Sequence, residues 1–425
     1  MENSVVQSAD NFMMIVGIII FVGLVFTKIS NIIKLPDVVL YILAGILLGP
    51  SMLDLINIGK YPVENQMILS FGAAYILYDG GREIDLKVLN KVKFSVLSLA
   101  TVGVLISTAV VGVAAKYLFD IPMIYALLLG AVVASTDPSV LVPLFKKMNI
   151  SSKMKQTIIS ESAFNDAAGA IVTFSLIGII MGGEFSLSDT LFDFVKTVVG
   201  GIFVGVTLGY ISHVLTDEKR KGALNDHPAE LMLATVIGAY LISNKLGFSG
   251  FMSVFIVGMF CGNKKIFKFW IPEESFQTHL RFKEILTIIL RMMIFVLLGT
   301  HLDFAVLMKY LLPTLASVFV LIFIARPISV LFSVMFDRKA EWTLKEILYL
   351  MWIRETGVIP AALAGMLMTA GIQHADMISS VTFATIMITL SFQASTSHLL
   401  AKLLKLEEQP SHHQKGEVKN SLTHH

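Results

Sequence analysis

Uninterrupted apolar runs of about 20 residues, the length at which a helix crosses the hydrocarbon core of a bilayer, recur along this chain from Phe12 to Leu404. In hydrocarbon every backbone polar group must find its partner within the protein, so only helices and closed barrels span. The runs here are continuous rather than alternating, which excludes a barrel. Composition agrees: of 425 residues, 55% are hydrophobic and only 15% charged. The sequence therefore predicts an all-α polytopic membrane protein. Thirteen spans are expected, near 12–29, 37–56, 64–80, 94–118, 123–146, 155–182, 192–214, 228–246, 248–262, 283–301, 309–336, 345–370 and 377–403. The first run follows an acidic N-terminus with no basic flank, so it reads as a retained span and not a cleaved signal.

The charges in the connections test that number. Alternate loops hold 21 Lys and Arg, among them Arg82, Lys87, Lys91, Lys93, Lys264 and Lys265, whereas the opposite side holds only Lys60, Lys116, Lys196, Lys245 and Lys309. Basic residues concentrate on the cytoplasmic side. This places the N-terminus outside, the C-terminal tail inside, and the chain in the cell membrane. The tail from about Lys405 to His425 is polar and carries His412, His413, His424 and His425. It is expected to be solvated, and some 20 residues cannot bury a core of their own. A net charge of +2 gives no reason to expect a nucleic-acid partner, and one cysteine, Cys261, allows no disulfide within the chain.

With loops and tail assigned, three basic residues remain inside the spans, Arg291, Arg326 and Arg354, and the acids placed deep in them are Asp137, Glu161, Asp166 and Glu355. Ionisable groups in a membrane interior pair with one another, face water or mark a transport path. The sixth span concentrates them in ISESAFNDAAGAIV, residues 159–172. On a helix Ser162 and Asp166 are neighbours at i,i+4, and so are Glu161 and Asn165.

Two spans also carry breaks. The fifth, LLLGAVVASTDPSVLVPLF, has a Thr-Asp-Pro step with Pro143 six residues after Asp137; the twelfth, YLMWIRETGVIPAALAGML, has Arg354-Glu355-Thr356-Gly357 with Pro360 beyond it. Proline removes a donor and disfavours helix in the preceding residue. Two interrupted spans at matching positions predict inverted repeats of six helices, with spans 5 and 12 discontinuous and crossing at a midplane site.

These residues resemble the monovalent cation–proton antiporter family, in its sodium–proton, NhaP-like branch. The resemblance rests on STDP at 135–138, ESAFND at 161–166 and ARPISV around Arg326, with LPDVVLYILAGILLGP at 35–50 and LYDGGREIDL at 77–86. It covers nearly the whole chain except the tail. It implies that Asp166 binds cation and proton alternately, and that Asp137, Ser162 and the backbone carbonyl of Thr136 help to line a Na+ site. It implies that Asn165, standing where the electrogenic branch has a second aspartate, marks electroneutral one-for-one exchange. Glu161 and Arg326 would form an ion pair between spans six and eleven. The chain departs from the family at span twelve, where Arg354 is followed by Glu355 in place of glycine. That acid is expected either to pair with Arg354 or to alter ion or pH preference; pairings with Arg291 stay open.

The physics runs alongside. A dehydrated alkali cation needs several converging oxygen atoms, which Asp166, Asp137, Ser162, Thr136 and unwound backbone can supply. A carboxylate in an apolar surround is costly to leave charged. If the site crosses only when neutralised, by cation or proton but not both, exchange is coupled. No resident cofactor is expected beyond the transported Na+ and H+, and no enzymatic activity. Potassium–proton exchange on the same fold is the nearest alternative, followed by an uncoupled cation channel; an intramembrane hydrolase using Asp137 and Asp166 as a dyad is the remotest. Residues 94–182 and 309–404 would form a mobile ion-binding core. Residues 1–93 and 183–308 would form a scaffold that makes a homodimer contact, and 405–425 a cytoplasmic tail.

Overall fold

The computed structural model describes residues 2–33, 35–137, 148, 150–182, 187–220, 222–270, 273–335 and 337–407. The described residues are helical throughout, apart from connections and one isolated bridge between Ile150 and Glu407. In chain order the helices are α1 (Glu2–Ile33), α2 (Asp37–Leu48), α3 (Pro62–Arg82), α4 (Leu86–Phe119), α5 (Met123–Val132), α6 (Ser152–Ile180) and α7 (Leu187–Thr216). There follow α8 (Pro228–Lys245), α9 (Gly250–Gly262), α10 (Glu273–Thr300), α11 (Leu311–Val334), α12 (Leu344–Trp352), α13 (Val358–Thr369) and α14 (Ala375–Leu403).

Each expected span has its helix, with the twelfth divided into α12 and α13. Several boundaries differ: the first, fourth and tenth helices begin eight to ten residues earlier than expected, at Glu2, Leu86 and Glu273. The second span stops at Leu48, well short of residue 56, because Gly49 turns to extended backbone and Pro50 follows. The third is longer than expected, starting on Pro62 at its first turn and running to Arg82. Six of the helices are long and apolar enough to cross a membrane by length and composition alone; α2, α5, α9 and α13 are shorter apolar helices. α10 is long enough to cross but carries Lys283, Glu284 and Arg291 along its apolar stretch. The histidines of the tail lie outside the described residues.

Lipid tails are as apolar as leucine, so helices in a membrane associate through close packing rather than through exclusion of water. The chain shows this at its glycines. On α9, Gly258 and Gly262 lie so close to the Tyr78 and Arg82 carbonyls of α3 that neither has room for a β-carbon. Gly45 and Gly299 bring α2 and α10 together in the same way. The outward surface is apolar instead of polar, with Phe21, Phe203, Tyr117 and Leu312 exposed, as a lipid-facing surface requires.

Three helices contain a wide π turn: α4 at Leu99–Gly103, α11 at Leu321–Ala325 and α14 at Thr389–Ala394. Such turns re-aim side chains and free backbone groups, and they gather at working sites. The turn in α11 ends directly before Arg326. The turn in α14 carries Thr389 and Gln393, and both bond to the broken twelfth span.

Candidate functional site

α5 ends at Val132, and residues 133–137 leave it as irregular chain. The break therefore falls where Thr136 and Asp137 were expected to unwind. Pro138 and Pro143, with the rest of the fifth span, lie outside the described residues. The twelfth span stops at Trp352 and resumes at Val358, with Pro360 in the first turn of α13. The two interruptions meet. The Asp137 backbone N–H donates to the Glu355 carbonyl at 2.7 Å, and Gly357 lies against the Asp137 side chain with no space for a β-carbon.

A broken helix in a membrane leaves unpaired carbonyls at one end and unpaired N–H groups at the other. Two buried arginines and one aspartate take them up. Arg354 donates through Nη2 to the Val133 and Ala134 carbonyls at 2.5 and 3.0 Å, closing the end of α5, and through Nη1 to Thr356 Oγ1 at 3.2 Å. Arg326 donates through Nε to Leu350 O at 3.0 Å and through Nη2 to Ile353 O at 2.9 Å, closing the end of α12. Asp137 Oδ2 accepts from the Val358 N–H at 3.2 Å, which sets a carboxylate at the start of α13. Each charge matches the partial charge of the helix end it meets.

Of the two readings left open for Glu355, a direct pair with Arg354 is not the one formed: no hydrogen bond or ion pair joins the two side chains among the described contacts. The Arg354 guanidinium is turned to α5, because two uncapped carbonyls there are stronger claimants than a side chain its own backbone points elsewhere. Glu355 is left 1% exposed with Oε1 lacking a hydrogen bond. Nor does Arg291 join the site; its Nη2 lies 3.8 Å from Asp37 Oδ1, at the start of α2.

Glu161 and Arg326 form a bidentate ion pair, with Nη1 on Oε1 and Nη2 on Oε2, the latter at 3.1 Å. Both are nearly fully buried, at 2% and 4% exposure. Asn165, one turn along α6, clamps Thr136 from both sides: its Oδ1 accepts from the Thr136 N–H at 3.1 Å and its Nδ2 donates to Thr136 Oγ1 at 2.8 Å. Ser162 does not bond back into its own helix; it donates to the Thr136 carbonyl at 2.5 Å. So α6 holds the unwound strand of chain by three hydrogen bonds, all on Thr136.

A small cavity opens at the crossing, lined by Thr136, Asp137, Ser162, Glu355, the Glu161–Arg326 pair, Ile158 and Ile353. Asp166 is not in that lining. It sits one turn beyond Ser162 on α6, 8% exposed, with Oδ1 lacking a hydrogen bond and with Asp137 and Ser135 within electrostatic reach. The structure thus brings Thr136, Asp137 and Ser162 together, with Asp166 flanking them. Ser135 was not singled out from the sequence as a site residue, although the STDP run contains it. The carbonyl partners of Arg326 were also missed, because backbone acceptors carry no sequence signal.

Among described residues this arrangement offers oxygen ligands to a cation but no cluster of three His, Cys, Asp or Glu suited to a resident metal. The comparisons with known proteins agree with it. A K(+)/H(+) antiporter NhaP2 of Shewanella sp. (strain ANA-3) is 29% identical over 410 residues, covering 95% of this chain and 69% of the relative. A probable Na(+)/H(+) antiporter 2 of Methanocaldococcus jannaschii is 28% identical over 408 residues, covering 90% and 94%. The solved structure of the sodium proton antiporter MjNhaP1 from the same organism at pH 8 superimposes with a TM-score of 0.80 at 27% identity, covering 94% of this chain and 100% of that one. The family described as "Sodium/hydrogen exchanger, transmembrane" matches residues 16–403, and this multi-pass membrane protein belongs to the sodium/hydrogen exchanger family.

Proposed function

We propose that this chain exchanges Na+, and Li+ with it, for H+ across the cell membrane, one for one, with cation and proton competing for Asp166. The observation that carries this reading is the state of Asp166: a buried carboxylate with an unpartnered oxygen, on the helix whose Ser162 and Asn165 grip the broken fifth span. Every other acid at the crossing except Glu355 meets a donor: Glu161 has Arg326, and Asp137 has the start of α13. Leaving Asp166 charged and empty at the membrane interior would cost at least a few kcal/mol, so the site crosses only when neutralised. Asp137, Ser162 and the Thr136 carbonyl would add ligands to the cation, while Asn165, Glu161, Arg326 and Arg354 hold the frame.

In this reading residues 94–182 and 309–404 move as an ion-binding core against residues 1–93 and 183–308, which form the scaffold and a homodimer contact. The loop charges support an outside N-terminus and a cytoplasmic C-terminus. Potassium–proton exchange is the second reading, favoured by the name of the Shewanella relative. The test is purified protein in liposomes under an imposed pH gradient, given Na+, Li+ or K+ in turn, with and without a valinomycin clamp. Voltage-independent dissipation of the gradient by Na+ or Li+ is expected. Dissipation by K+ alone selects the second reading, and cation flux without proton movement overturns both.

A further inference from the structure

Beside Asp166, the crossing holds a second carboxylate that no helix end or arginine meets with a hydrogen bond. Glu355 is 1% exposed, its Oε1 makes no hydrogen bond, and it lines the cavity with Thr136, Asp137 and Ser162. Its backbone is fixed, because its carbonyl accepts from Asp137 and the following Thr356 N–H donates to Thr389 Oγ1 at 3.1 Å. Glu161, the remaining acid in the lining, is held by Arg326. A buried carboxylate oxygen without a donor is costly, and folded proteins keep such an atom where something else will meet it. A cation in this cavity would meet Glu355 alongside Asp137, Thr136 and Ser162.

Resting on the exchange reading above, we propose that Glu355 is a further ligand of the transported cation, and that it tilts the site toward the smaller alkali ions. The reason is field strength. A third carboxylate, added to Asp166 and Asp137, concentrates negative charge at the ion, and Coulomb energy grows as the separation shrinks, so a small ion gains more from it than a large one. A site with those two carboxylates and neutral oxygens alone discriminates less.

The experiment compares wild type, E355Q and E355D in proteoliposomes, measuring KM for Na+ and for K+ from the dissipation of a pH gradient. E355Q should raise KM for Na+ about tenfold and KM for K+ by no more than about threefold, narrowing the ratio. E355D keeps the charge but withdraws it by one methylene, and should fall between. A damaged frame would move both constants together; equal changes for the two ions, or none, overturn the proposal. Heat stability in detergent with added NaCl or KCl supplies a second readout that needs no transport. Wild type should gain more from NaCl than from KCl, and E355Q should lose that difference; a retained difference also overturns it. A wild type that dissipates the gradient with no alkali cation would instead sink the exchange reading beneath it.

Discussion

Two of the clusters of buried charge among the described residues are built differently. At the crossing of the broken spans stand Asp137, Glu161, Asp166 and Glu355 against Arg326 and Arg354, so formal negative charge exceeds positive, and Asp166 and Glu355 each keep an oxygen without a partner. At the far end of α3 the charges match. Lys283 of α10 lies 2.5 Å from Asp79 and 4.0 Å from Glu83, Thr287 donates to Asp79 at 3.1 Å, and Arg82 donates to His279 Nε2 at 2.6 Å. Tyr78 and Cys261 close over that group, packed where α3 and α9 meet glycine to backbone. The second cluster is a strut, which neutralises charge while tying three helices. The first keeps more acids than its arginines meet, because Arg354 is taken up by a helix end and Arg326 by a helix end and Glu161; under the proposed exchange the surplus acids would take a cation or a proton.

The largest effect expected from that contrast is at Asp166. Asp166→Asn keeps shape and removes the exchanging charge. Exchange should fall below detection, with the protein still monodisperse in detergent. Exchange within tenfold of wild type would move the central role elsewhere, and Glu355 would be the first residue to re-examine.

Arg326→Ala comes next, and its effect is on stability. It strands Glu161 and uncaps the Leu350 and Ile353 carbonyls together. Removing one partner of a buried pair costs about 3–5 kcal/mol. Thermal unfolding in detergent should show a loss of that order. The double change Glu161→Gln with Arg326→Ala should recover part of it, since the stranded charge goes but the carbonyls stay bare. Full recovery would mean that the helix-end bonds contribute nothing.

How far the sequence carried this site depends on which kind of atom does the work. Apolar run length and loop charge predicted the helices, since both follow from the bilayer as solvent. The i,i+4 spacings in α6 paired Ser162 with Asp166 and Glu161 with Asn165 without naming what they meet, and Thr136 is where Ser162 and Asn165 both bond. That one of the two readings of Glu355, as Arg354's partner, is not met has a physical source. A side-chain reading pairs an arginine with the acid beside it, but adjacent residues in extended chain point apart, and the acceptors that win are the carbonyls of Val133 and Ala134. The short second span has a similar cause: hydrophobicity continues past Leu48, but Gly49 and Pro50 end the helix whatever follows. The strut at α3 was scarcely visible, because His279, Cys261 and Tyr78 are far apart in sequence and each alone reads as an ordinary core residue.

Lys283→Met tests whether that strut stays out of transport. It removes the cation beside Asp79 but leaves the Thr287 hydroxyl, and the Asp79 side chain is still 17% exposed. The cost should be about 1–3 kcal/mol of stability, below that of Arg326→Ala, with exchange rate and KM unchanged. A changed KM would join the two clusters and erase the distinction drawn between them.

Tyr78→Phe should be the mildest change, although Tyr78 is completely buried. Its hydroxyl lies 3.3 Å from His279 Nε2 and 3.5 Å from Cys261 Sγ, and both are weak claims. Arg82 already donates to the same histidine nitrogen at the shorter distance of 2.6 Å, so deleting the hydroxyl leaves that acceptor satisfied. The ring remains to fill its place between Tyr75 and the α9 backbone. A loss of about 1 kcal/mol or less follows, with no change in exchange. A loss as large as that of Lys283→Met would show that the hydroxyl, and not the guanidinium, fixes His279, and that the strut is held by its neutral groups rather than by its charges.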